Sequence, residues 1–236
     1  MKDGLRMTTR IFFRPKSEFP FYSQHNIDFH YLQGRDKQTS HTNILSMHNA
    51  ITTIMPSANI LDISTMSNSA FGNTLSAFNL KLHIDDKPST VESTYQASKV
   101  FSNGGPFTDL VFTESSRSKK DERLVTSGSL LYFEYQNISW PLVPNPNFYD
   151  YLYILALIES ADLENLLAFN TFTDFAFNPS KSKSVPQSIN CQARSAAIFV
   201  GMKSQFHTGE ILSLIKELAR DPSRNRAIME PTLFDF

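Results

Sequence analysis

The sequence has 236 residues but only one cysteine, one tryptophan and eight glycines, and these shortages exclude several classes of protein. Cys191 alone cannot form an internal disulfide, and no histidine or cysteine pair stands at zinc-ligand spacing, so neither a disulfide framework nor a structural metal is expected. The chain contains no Walker phosphate loop, dinucleotide fingerprint, H-E-x-x-H helix or G-x-S-x-G elbow. Charge of either sign is not in excess: the formal net charge is -1 and the pI about 6.6, without the global basic signature of a nucleic-acid binder. The most apolar segment, Tyr151 to Ile158, is far shorter than the ~20 residues of a membrane span. MKDGLRMTTR leads into no apolar run of the secretory kind, and the expected setting is the reducing cytoplasm, with no membrane partner and no cofactor.

What is present is enough apolar material, 41% of residues, to build one large core. The fold expected is mainly α with a small β component, an α+β domain over residues 1–205 with a C-terminal helix and tail, 206–236, packed on it. Phe19-Pro20-Phe21 and IDFHYL predict short extended pieces near the N-terminus. Thr42 is placed to cap a helix through NILSMHNAITTI, with His48 near its apolar face, a position more often core than catalytic. NILDIST reads as a buried strand, MSNSAFGNTLS as a polar loop, SRSKKDERLVTSG as an exposed helix, and SLLYFEYQ-N-ISWPL as a hairpin. FYDYLYILALI, ADLENLLAF, QARSAAIFVGMK and the amphipathic GEILSLIKELAR predict helices. KSKSVPQSIN reads as a linker-like loop, and EPTLFDF as a tail able to dock. No Lys or Arg occurs between Arg123 and Lys181, so basic groups segregate, which either gives one face attraction for a polyanion or is only a set of solvated helix faces.

Residues 89 to 110, STVESTYQASKVFSNGGPFTDL, hold the strongest candidate chemistry. S-T-V-E reads as a capping box, with the Ser89 hydroxyl on the Glu92 amide. If the helix continues, Glu92, Gln96 and Lys99 share one face at i, i+4 and i+7. Gly104 and Gly105 then allow close backbone approach to a ligand. Asp150, among the aromatics of FYDYLY, is a second acid that desolvation could tune. The same residues also fit an ordinary capped surface helix. Trp140 fits either a core anchor or a ring beside a pocket, and Cys191 a small buried hydrophobe more readily than an activated thiol.

The helix VESTYQASKVF resembles the signature helix of NADAR domains, and LSAFN resembles the serine-asparagine-phenylalanine loop of that family, with Ala77 where asparagine is usual. LDIST, FGNTLSAFNL, GGPFTDL, KKDERLVTSGSL, WPLVPNPNFYDYLYI and NCQARSAAIFVG extend the resemblance, specifically to the branch that accompanies DarT-type toxins, over most of residues 58 to 201. The resemblance implies an ADP-ribosyl glycohydrolase that cleaves the N-glycosidic bond joining ADP-ribose to guanine in DNA, an antitoxin with the cognate DarT-type toxin as functional partner. It implies Lys99 as nucleophile through a Schiff base and Glu92 as proton handler, with Glu92 and Asp150 as a rival two-carboxylate pair. Ser76, Asn79, Gln96, Gly104, Gly105, Trp140, Asn190, Gln192 and Arg194 are then candidate ligand contacts, and Lys119, Lys120 and Arg123 candidate DNA-backbone contacts. Two other functions compete: an N-glycosidase of a small phosphorylated riboflavin-pathway intermediate, and a stoichiometric toxin-binding immunity protein.

Overall fold

The computed structural model describes residues 5–34, 36–143, 146–177 and 190–221. The architecture is α+β. Two long antiparallel strands open the chain, β1 (Leu5–Pro15) and β2 (Tyr22–Leu32), where the sequence predicts only short extended pieces. Their alternation is one-sided: Ile27 and Phe29 of β2 are buried with Phe12 of β1, while their neighbours face outward. Helix α1 (Lys37–Ile54) covers that face with Ile44, Met47 and Ile51. Its cap is Asp36, whose carboxylate accepts the Thr39 amide at 2.8 Å; Thr42 lies inside the helix, its hydroxyl donating to the Gln38 carbonyl. The predicted cap is therefore one turn and more too late, because Thr42 has a backbone carbonyl to satisfy it within the helix.

Strand β3 (Ile60–Asp62) is buried as predicted, and α2 (Ala70–Thr74) forms within the segment read as a loop, capped by Ser69. A hairpin not visible in the sequence follows, β4 (Lys81–Ile84) and β5 (Lys87–Thr90), turning on Asp85 and Asp86, both at positive φ. Aspartate tolerates that conformation, which two-residue hairpin turns require. Then come α3 (Val91–Ala97) and β6 (Lys99–Phe101). The predicted charged helix is two short ones, α4 (Ser115–Ser118) and α5 (Arg123–Thr126); Asp121 separates them by accepting the Arg123 amide at 3.0 Å. Strands β7 (Leu130–Tyr135) and β8 (Ile138–Trp140) form the expected hairpin, with Gln136 and Asn137 both at positive φ.

Helix α6 (Phe148–Ser160) is buried continuously from Phe148 to Ile154, which makes it the central element of the main core. Helix α7 (Leu163–Leu167), strand β9 (Thr171–Thr173), α8 (Gln192–Lys203) and α9 (Thr208–Arg220) complete the chain. β9 joins the first sheet, whose order is β2-β1-β9-β3, running antiparallel to β1 and parallel to β3; β6-β7-β8 form another sheet. α9 buries Ile211, Ile215, Leu218 and Ala219 in the same core as α6 and α8. Most of KSKSVPQSIN and all of EPTLFDF lie outside the described residues. No helix among the described residues is long and apolar enough to cross a membrane.

Candidate functional site

The site begins where β5 passes into α3. Thr90, extended at φ -106 and ψ 156, is the cap, accepting the Ser93 amide at 3.2 Å. The predicted capping box is corrected: Ser89 belongs to β5 and its hydroxyl contacts the Val111 carbonyl at 2.6 Å and the Thr94 hydroxyl at 2.9 Å. The Glu92 carboxylate is thus released from capping, while its amide is anchored on the Ala77 carbonyl at 2.9 Å. All seven residues of α3 are buried although Glu92, Ser93, Thr94 and Gln96 are polar, which excludes an ordinary surface helix. Buried polar groups persist only where hydrogen bonds satisfy them.

Those bonds form a line. Gln96 Nε2 donates to Glu92 Oε1 at 2.9 Å, and Gln96 Oε1 accepts from Lys99 Nζ at 2.7 Å. Lys99 is not on the helix, which ends at Ala97; it opens β6 opposite Phe133, and its side chain turns back to α3. The expected i, i+7 geometry is therefore replaced by a helix and a strand that converge on Gln96. Lys99 Nζ also stands 5.1 Å from the centre of the Tyr95 ring. Burial lowers the amine to about 8; Glu92 acts in the opposite sense, and Lys119 lowers it further. Gly105 serves this arrangement: at φ +95, a Cβ there would lie 2.2 Å from the Lys99 carbonyl oxygen. A Cβ at Gly104 would meet the Phe107 ring at 3.3 Å.

Lys119, expected at the DNA backbone, sits at the site itself, its ammonium 3.5 Å from Glu92 Oε1 and 4.9 Å from the Phe78 ring centre. Lys120 is exposed. Arg123 is engaged elsewhere: it grips Asp109 and Asp121 and lies 4.6 Å from the Phe107 ring centre, so its guanidinium is already neutralised by two carboxylates.

Asp150 is placed differently from expectation. It is fully buried, accepts Arg194 Nη2 at 2.6 Å and the Ser195 hydroxyl at 2.7 Å, and forms the capping box of α6 with Asn147. Arg194, 1% exposed, is spent on that pair and not presented to a phosphate. Trp140 is core, stacked on Tyr151 at 4.6 Å and against Phe148 at 5.1 Å. Gln192 is a tie rod, donating to the Ile63 carbonyl and accepting the Ala77 amide, both at 2.7 Å. That bond and the Glu92 amide hold residue 77 from its two sides. Ser76 is buried in this loop, and the exposed Asn79 donates to Asn73. Asn190 remains at the site, donating to the Tyr95 hydroxyl at 2.6 Å.

The sequence reading missed Asp62 and Asp174. Asp62 accepts from Ser64, Thr173 and the Phe175 amide, yet burial still raises its carboxyl to about 6. Burial, with Asp62 adding to it, raises Asp174 to about 7. The Tyr149 phenol is pushed up chiefly by burial, with Glu92, Tyr153 and Asp174 adding to it. His48 bonds the Thr173 hydroxyl at 3.0 Å, the same hydroxyl that donates to Asp62, and burial lowers its imidazole to about 4. The only sequence signal was TFTDFAF, an aspartate among aromatics, the same pattern as FYDYLY. Among the described residues no cluster of three or more His, Cys, Asp or Glu is arranged to hold a metal ion.

No curated protein matches the chain significantly. A family model described as the DarT1-associated NADAR antitoxin matches residues 8–224, a span that contains every residue of this site. The protein therefore belongs to the DarT1-associated NADAR antitoxin family.

Proposed function

We propose that the protein is an ADP-ribosyl glycohydrolase that removes ADP-ribose from guanine bases of DNA, and that this hydrolysis is how it acts as an antitoxin. The observation that carries the proposal is Lys99: an amine brought to about 8 by burial, held by Gln96 in line with Glu92. An amine in that state is neutral in about one molecule in ten at pH 7, far more than an ordinary lysine, as a lysine nucleophile requires. In the proposed sequence Lys99 Nζ forms a bond to the anomeric carbon of the ribose as the bond from that carbon to the guanine nitrogen breaks. The leaving base takes up a proton from water. Glu92 accepts the proton lost by the amine. Ring opening gives the Schiff base, and water then hydrolyses it to free ADP-ribose and the original lysine. Asp150, closed in an ion pair with Arg194, has no part in this scheme, which weakens the rival pairing of Glu92 with Asp150.

The proposal is tested by incubating the protein with an oligonucleotide carrying ADP-ribosylated guanine and following free ADP-ribose. Release by the wild type, and none by Lys99→Ala at equal folded concentration, is the expected result. If toxin-expressing cells are rescued equally by a Glu92→Ala, Lys99→Ala double variant, neutralisation works by binding and the glycohydrolase proposal fails.

A further inference from the structure

A groove of about 560 Å³ opens beside the site, lined by Phe78, Asn79, Lys81, Pro88, Val111 and Phe112 among others. Phe78 is the link: it lines the groove and also carries Lys119 above its ring, 3.5 Å from Glu92. At the other end Phe112 is 54% exposed, and the Lys87 ammonium stands 5.8 Å from its ring centre. Two phenylalanine rings, each with a lysine over it, therefore line the groove, and Lys81 is the lysine on its wall. The carboxylate lining it, Glu114, is turned to the Ser116 amide and hydroxyl at 3.3 and 2.7 Å and is further offset by Arg117 and Lys120.

This combination of an exposed aromatic ring, Phe112, and nearby cations suits an unpaired polynucleotide strand, whose bases can stack while its phosphates meet ammonium groups. A duplex fits it poorly, because its bases are already stacked on one another and present no free face to Phe112. The floor is also stiff. Thr90 and Ser115 share a hydrogen bond of 2.7 Å, and Ser115 in turn donates to the Phe78 carbonyl at 2.9 Å, so the backbone that carries the ring is tied to α3 and α4.

We infer that the Phe78–Phe112 groove is a subsite for single-stranded DNA adjoining the modified guanine, with Phe112 stacking on a flanking base and Lys81 and Lys87 meeting its phosphates. The inference rests on the DNA substrate proposed above, and it is tested by equilibrium binding that needs no catalysis. A fluorescent single-stranded oligonucleotide of about ten nucleotides, carrying no ADP-ribose, is titrated with the full chain, and anisotropy is followed over a range of salt. Wild type is expected to bind this strand more tightly than the matching duplex. Phe112→Ala should weaken binding about tenfold without changing the salt dependence. Lys81→Ala with Lys87→Ala should lower the slope of log affinity against log salt by about 1.4, for two phosphates at ~0.7 each. An unchanged unfolding midpoint for Phe112→Ala, an exposed position, separates lost stacking from lost fold. Absence of strand binding by wild type, tighter binding of the duplex, or Phe112→Ala binding as wild type overturns the inference. Strand binding without release of ADP-ribose would instead leave the groove in place and remove the glycohydrolase proposal.

Discussion

Glu92 on α3 and Asp150 on α6 are both buried carboxylates, 6% and 0% exposed. Their surroundings differ in how completely they are closed. Asp150 has a guanidinium, a hydroxyl and a backbone amide on its two oxygens. Its charge is matched at short range, and the pair ties α6 to α8 at the centre of the core. Glu92 has one amide from Gln96 and a longer contact to Lys119, an ammonium whose side chain is 55% exposed. The line from Glu92 through Gln96 ends on a part-buried amine. A closed carboxylate organises the fold; one left with an exposed cation and a neighbouring amine can exchange protons. Degree of satisfaction, and not burial, separates the two.

The largest expected effect that sharpens this contrast is on rate. Lys99→Ala should reduce ADP-ribose release by about a thousandfold or more, equivalent to ~4 kcal/mol of activation energy, with little change in the unfolding midpoint. Arg194→Leu should do the reverse. It leaves Asp150 buried without its cation and should cost about 3–5 kcal/mol in denaturant unfolding, with activity per folded molecule retained. If that variant is as stable as wild type, Asp150 is not the organising group described here. Asp174→Asn tests the acid that burial and Asp62 raise. In the folded protein this carboxyl is raised to about 7 from 3.8, so its protonated form contributes stability that is present below about 4 and lost as pH rises through 7. The asparagine variant keeps only the smaller loss from Asp62 over that window, so its stability relative to wild type should rise between pH 4 and 7. A constant difference would place the carboxyl at its ordinary value. The smallest effect concerns the cap: Thr90→Ala should cost about 1 kcal/mol of stability.

Local patterns made much of this fold legible. The β7–β8 hairpin follows from alternation around Gln136-Asn137, and α6, α8 and α9 follow from apolar periodicity. The β4–β5 hairpin was hidden because its turn is Asp85-Asp86, without the glycine that marks such turns, and its strands carry lysines and a proline. At the site, the types Glu92, Gln96 and Lys99 were legible, but their geometry was not, since Ser98 ends the helix and only tertiary pairing with Phe133 aims the lysine back. FYDYLY and TFTDFAF look alike as strings. One aspartate meets Arg194 from forty-four residues away and the other meets Asp62, and nothing local records that difference. Lys119 was read as an outer contact for the same reason: its distance to Glu92 is set by how α4 packs on α3.

The central claim is that the Lys99 amine is the nucleophile, and reductive trapping tests it most directly. The protein is mixed with an ADP-ribosylated guanine oligonucleotide in the presence of cyanoborohydride, digested and mapped by mass spectrometry. The account predicts an ADP-ribosyl adduct on Lys99, lost in Lys99→Ala and formed faster as pH rises toward about 8, where the amine gives up its proton. Turnover with no adduct on any lysine, or an adduct at Lys119 with Lys99 unmodified, would contradict it.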